Sequence, residues 1–157
     1  MRYLLRFEAK GIQRFVLAGQ DLAEMLGASA LVSALTSSEG FLRDFLRLEI
    51  GGGEVVYEAA GGATILFDSG EQVRAFARRF PIEVSLFAPG LDVSLAWVED
   101  DEQVHEGRPL AALAARLGVA RNFPHLGLPV RSPVLEAKST GGGPLLPEKV
   151  RAPSGAE

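Results

Sequence analysis

Apolar and polar positions alternate from the first residues of the chain. Tyr3, Leu5, Phe7 and Ala9 fall on one side of the alternation, and Leu4, Arg6, Glu8 and Lys10 on the other. That period of two predicts a half-buried strand over residues 2–9. Lys10-Gly11 breaks the pattern. Ile12, Phe15, Val16, Leu22, Met25 and Leu26 then recur at mostly helical spacing, with Gly19 as a weak point, and Leu31, Val32 and Leu35 resume the face after the small residues Gly27-Ala28-Ser29-Ala30. Ser37, Ser38 and Gly40 predict a turn. Phe41, Leu42, Phe45, Leu46 and Leu48 predict a further amphipathic helix with Arg43, Asp44 and Arg47 outward.

Gly51-Gly52-Gly53 reads as a flexible joint, and Glu54–Asp68 as a strand, a Gly61-Gly62 turn and a second strand. Simple alternation places Val55 and Tyr57 on one face of the hairpin, Val56 and Glu58 on the other. Ser69-Gly70-Glu71 opens a helix whose buried stripe is Val73, Phe76, Ala77 and Phe80, with Arg74, Arg78 and Arg79 outward. Pro81 is predicted to end it, because proline lacks the N–H that continues a helix. After a turn at Phe87-Ala88-Pro89-Gly90, the alternation of Leu91, Val93, Leu95 and Trp97 predicts a last strand.

The order strand, helices, strand, strand, helix, strand is the ferredoxin-like βαββαβ arrangement of the α+β class. It implies an antiparallel sheet with helices on one face and the other face partly open or covered by a partner. This unit is assigned to residues 1–102. Residues 103–157 form an extension: an Ala-rich helix over Leu110–Leu117 after Pro109, then a Pro/Gly-rich, largely irregular tail. That tail suggests a chain cut from a longer one.

Composition narrows the function classes. The 157 residues are 47% apolar and 23% charged, with a net charge of -4, so global charge gives no pull toward nucleic acid. There are no cysteines, which excludes disulfides and thiolate metal sites within the chain. Two histidines, His105 and His125, are too few for a histidine-rich metal centre. No apolar run approaches the roughly 20 residues that span a bilayer, and charged Arg6 and Glu8 come too early for a signal peptide. A cytoplasmic protein is expected.

Candidate chemistry gathers at two turns. In a ferredoxin-like sheet the end of the first strand lies beside the start of the third, so Gly61-Gly62 is expected close to Glu8–Gly11. Two loops and a helix start would converge, and backbone N–H groups there suit a phosphate. Lys10, Gly11, Gln13, Arg14, Ser29, Gly61 and Gly62 are the candidate nucleotide-binding residues. Sterics alone would also account for glycines at both turns. Two-metal phosphoryl transfer needs carboxylates, and Ala63 and Thr64, which follow the glycines, supply none. Glu8, Glu58 and Asp68 are the nearest acids, and no catalytic or metal-binding residue is assigned. The arginine set Arg43, Arg47, Arg74, Arg78 and Arg79 reads as solvated helix faces or as an RNA-facing patch. Lys138–Gly143 lacks the spacing of a phosphate loop.

Four segments carry a family resemblance. Phe7-Glu8-x-x-Gly11-Ile12-Gln13-x-Phe15-Val16, Leu26-Gly27-Ala28-Ser29-x-Leu31-Val32, Val55-Val56-Tyr57-x-x-x-Gly61-Gly62 and Leu91-Asp92-Val93-Ser94-Leu95-Ala96 resemble, in order and spacing, a palm domain of the large, polymerase–cyclase-like (Csm/Cmr) subunit of type III CRISPR effector complexes. The likeness covers about residues 2–98. In that family one palm bears a GGDD motif and makes cyclic oligoadenylates from ATP, and a second, degenerate palm helps shape the nucleotide site. Here the motif reads Gly61-Gly62-Ala63-Thr64, so the resemblance is to a degenerate copy. It implies a non-catalytic module of an antiviral system that supports nucleotide binding or assembly, is not an enzyme on its own, and shares any ATP and magnesium with a neighbouring site. The implied partners are other effector subunits or a second palm, with RNA reached through the complex and no membrane. The alternatives are an active nucleotidyl cyclase using Glu8 and Glu58 or a partner's acids, and a pure assembly domain with no nucleotide site.

Overall fold

A computed structural model describes residues 1–19, 21–37, 40–59, 61–100 and 108–122. His105, His125, the tail beyond Asn122 and the segment 138–143 lie outside them. In chain order the elements are β1 (Arg2–Lys10), α1 (Ile12–Val16), α2 (Leu22–Thr36), α3 (Phe41–Phe45), which runs into a π-helical turn (Leu46–Ile50), β2 (Glu54–Ala59), β3 (Gly62–Phe67), α4 (Gly70–Phe87), β4 (Asp92–Asp100) and α5 (Arg108–Asn122). The four strands form one antiparallel sheet in the order β2-β3-β1-β4. The expected α+β, βαββαβ order is therefore present.

The alternation read from the sequence decides which side chains meet. Leu5 and Phe7 of β1, Ala63, Ile65 and Phe67 of β3, and Val93 of β4 share one face of the sheet. Against it pack Ala28, Val32 and Leu35 of α2, Leu42 and Phe45 of α3, and Val73, Phe76, Phe80 and Val84 of α4. Aromatic rings join these elements: Phe7 and Phe80 lie 4.6 Å apart between centroids, Phe76 and Phe80 4.5 Å, and Phe45 and Phe76 5.5 Å. Each such ring contributes about 1.5–3 kcal/mol through burial.

Local signals set the helix starts. Asp21 accepts a hydrogen bond from the Glu24 N–H at 2.9 Å, and Ser69 accepts one from the Gln72 N–H at 3.2 Å. Both are N-caps, which satisfy one donor left open at a helix start.

Pro81 does not end α4, contrary to the sequence expectation. The helix runs six residues further, to Phe87, with Pro81 inside it. Proline in a helix interior costs about 3 kcal/mol or more. Beyond it, however, Val84 and Ala88 are fully buried, and Phe87 stacks on Phe41 at 4.4 Å. This packing outweighs the lost backbone bond.

The second correction concerns β2. The register shifts between Val55 and Tyr57: Val55 faces Ile65, Tyr57 faces Thr64, and Glu58 faces Ala63. Val56 is the extra residue of a β-bulge. Val55 and Glu58 therefore share the face of the main core, and Tyr57 lies on the opposite face.

The other face of the sheet is covered in part by α5 of the same chain. Leu113 and Leu117, one helical turn apart, pack on Leu4, Ala96, Val98 and the partly buried Leu66. Arg116 donates to the Trp97 carbonyl at 2.8 Å, tying α5 to β4.

Candidate functional site

β1 ends in Lys10, which faces Asp92 in the last pair of the β1–β4 ladder. Gly11 follows with φ 62 and ψ 32, a left-handed conformation that suits glycine. It turns the chain into α1, where Gln13 and Arg14 are both exposed. The Arg14 guanidinium folds back to within 3.8 Å of where a Gly11 side chain would begin. α1 is only five residues long, so few aligned peptide dipoles support an anion at its start.

The hairpin turn meets this corner directly. The Ala9 N–H donates to the Gly61 carbonyl at 2.6 Å, and the Ile12 side chain fills the space beside Gly61. Gly61 has φ +85, and a side chain there would strike Ile12. One at Gly62 would strike the Phe7 carbonyl oxygen. Close packing thus accounts for both glycines of the hairpin.

The two residues after the glycines point in opposite directions. Ala63 is 2% exposed and belongs to the main core. Thr64, 3% exposed, faces Arg6 in β1 and Tyr57 in β2 on the α5 side. The neighbouring acids are also separated. Glu8 faces Gly62 and Ser94, on the α5 side, whereas Glu58 faces Ala63 on the core side. The sheet stands between the two carboxylates, because the pairing next to the turn sets Glu58 opposite Ala63 and Glu8 opposite Gly62, one residue out of phase. Among the described residues no group of three or more His, Asp or Glu side chains is placed to hold a metal ion.

Glu8 instead links α5 to β1. Arg6 reaches its carboxylate through Nε and Nη2, both at 3.0 Å, and Arg121 of α5 pairs with the other carboxylate oxygen. Sequence reasoning did not single out Arg121. Its signal was the spacing Leu113, Leu117, Arg121, which places all three on one face of α5. Beside this clasp Ser94 is fully buried, and its Oγ has no hydrogen-bond partner among the described residues.

Ser29 lies on the exposed side of α2, apart from the Gly11–Gly61 corner in the described hydrogen bonds. Four residues on, Ser33 lines a cavity of about 340 Å3 between the end of α2 and the hairpin, with Thr36, Ser37, Glu58 and Ala59. Ser29 and Ser33 stand on one helical face. The rest of that side is apolar and exposed: Leu22 is 71% and Leu26 62% accessible. The only charged residue of α2, Glu24, is buried.

No protein-family model matches the sequence, and no curated protein matches it. Among solved structures the fold is similar to a chain of a Csm1–Csm4 cassette crystallised in complex with pppApA, with a TM-score of 0.66 and 16% identity over 77% of this chain. Csm1 of T. onnurineus gives the same TM-score of 0.66, also at 16% identity and 77% coverage. The Csm1–Csm4 subcomplex of the type III-A CRISPR-Csm interference complex gives 0.65 at 16% identity and 77% coverage. This chain spans 19% of the length of each of those chains. The likeness is one of fold: an α+β unit with a four-stranded antiparallel, palm-like sheet.

Proposed function

We propose that this chain is a non-catalytic palm module of a type III CRISPR-like effector assembly, one that lends surface to a nucleotide site without supplying its metal-binding acids. The observation that carries this reading is the hairpin. It belongs to a palm-like sheet, yet Ala63 is buried in the core and Glu8 and Glu58 lie on opposite faces of the sheet. Two-metal phosphoryl transfer needs carboxylates that converge on ions roughly 3.5–4 Å apart, and this arrangement offers none.

The nucleotide contacts in this reading come from Lys10, Gly11, Gln13 and Arg14 at the corner and from the α2–hairpin cavity, with Ser29 one helical turn from its Ser33. Any ATP and magnesium belong to a site completed by a second palm. The uncharged outer face of α2, with Leu22, Leu26 and Ala30 exposed, favours a partner: exposed apolar surface on a helix is stabilised by burial against another protein. Solved Csm1–Csm4 cassettes with pppApA and AMPPNP share the fold, which supports an effector subunit as that partner and a nucleotide as the ligand.

Incubation with ATP, magnesium or manganese, and RNA tests the reading. The expected outcome is no linear or cyclic oligoadenylate from this chain alone. Oligoadenylate that disappears in Glu8→Ala would overturn it in favour of an active cyclase. Calorimetry with ATP is expected to show binding that weakens several-fold in a Gln13→Ala/Ser29→Ala variant. Absence of binding at millimolar ATP would reduce the chain to an assembly domain.

A further inference from the structure

The sheet has a second end, remote from the glycine hairpin, where the π-helical turn delivers the chain into β2. A cavity of about 550 Å3 opens there, with Arg43 and Arg47 beside Leu46, Gly52, Gly53 and Val55. That volume lies within the range of small-molecule sites. π-helical turns in otherwise regular helices are frequent at functional positions.

The glycines are there for backbone reasons. Gly51 has φ +73 and Gly53 φ +119, and a side chain at Gly53 would strike Phe67 and Leu46. One at Gly52 would strike Gln72, whose Nε2 donates to the Gly51 carbonyl at 3.4 Å. The joint that reads as flexible in the sequence is thus held against α4, and its bare backbone forms one edge of the cavity.

The two charged side chains that line the cavity are both arginines. Arg43 is exposed and makes no hydrogen bond or ion pair among the described residues. Arg47 has only Asp44, at 3.2 Å, in an exposed pair worth about 0–1 kcal/mol. The nearby Glu49 is already engaged by Arg79, through its carboxylate and through its carbonyl at 3.0 Å. Glu54 faces Leu66, on the opposite side of the sheet from Val55. Two guanidinium groups, whose planar forks match phosphate oxygens, therefore stand over an apolar floor of Leu46 and Val55.

We propose that this cavity binds an organic phosphate of mononucleotide size, with phosphate oxygens on Arg43 and Arg47 and the apolar part of the ligand on Leu46 and Val55. An extended polyanion fits less well. Asp44 and Glu49 flank the site, and the chain carries a net charge of -4, both unfavourable to sequence-independent RNA binding. The proposal stands apart from the hairpin and does not depend on the function assigned to it.

Titration of the full chain with AMP, followed by amide resonances, tests it. The expected result is saturable shifts at Gly51, Gly52, Gly53 and Leu46. Affinity should fall about tenfold in Arg43→Ala, the size of one charge-assisted hydrogen bond, and recover only partly in Arg43→Lys. Arg78→Ala, which removes an exposed arginine outside the cavity, should leave it unchanged. Shifts confined to Gly11 and Gly61, an equal loss in Arg78→Ala, or displacement of AMP by short single-stranded RNA at lower concentration would each overturn the proposal. Arg43 is solvent-exposed, so the variant is expected to keep its fold, and its unliganded spectrum checks that.

Discussion

The two faces of the sheet are built by different means. On one, aromatic rings from β1, α3 and α4 interlock around Phe7, Phe76 and Phe80, each fully buried. On the other, α5 rests on a small apolar patch of Leu4, Ala96 and Val98, and the rest of its hold is polar: Arg116 on a β4 carbonyl and Arg121 on Glu8. The first face is a core whose loss removes the fold. The second is a cover whose contacts are few enough to open locally, since opening energies follow the apolar area each segment buries.

The largest expected effect comes from the aromatic face. Phe76→Ala should destabilise the whole domain by about 3–5 kcal/mol, read as a lower denaturation midpoint with all strands and helices lost in one transition. A change limited to α4 would mean that this face is not a single cooperative core.

Leu117→Ala sharpens the contrast. It should cost about 2–4 kcal/mol of the contact between α5 and the sheet. Hydrogen exchange should speed in α5 while β1 and β3 stay protected. Uniform loss of protection across the sheet would show that the cover and the core unfold together.

The smallest effect belongs to the clasp. Arg121 is 54% exposed, so Arg121→Ala should lower stability by about 1 kcal/mol or less, with the difference from the parent shrinking at high salt. An effect as large as that of Leu117→Ala, or one insensitive to salt, would show that Glu8 needs its second arginine for more than surface pairing.

What the sequence disclosed follows the same division. The strands of the aromatic face were legible because period two runs through β1 and β4 and the Gly61-Gly62 turn marks the start of β3, and Ser69 announced the start of α4. The Gly11 and Gly61 turns were placed side by side from the strand order, and the ladder puts Ala9 on Gly61. Pro81 misled because a local rule was applied where tertiary burial of Val84 and Ala88 decides. The faces of β2 were misassigned because a bulge leaves no periodic trace in six residues. The cover was missed as such. Leu113 and Leu117 read as a helix, but nothing local says which surface a helix that follows the acids of residues 99–102 will choose, and the complementary patch of Leu4, Ala96 and Val98 is spread over two distant strands.

The bulge in β2 also bears on how the chain tolerates changes in length. Val55 and Tyr57 already pair with adjacent residues of β3, so deleting Val56 would leave an unbroken ladder. β2 is an outer strand, and no neighbour beyond it would have to follow. In β1, paired on both sides, the loss or gain of one residue would turn every later side chain to the wrong face. Among relatives of this chain, single-residue insertions and deletions should therefore collect in β2 and be purged from β1.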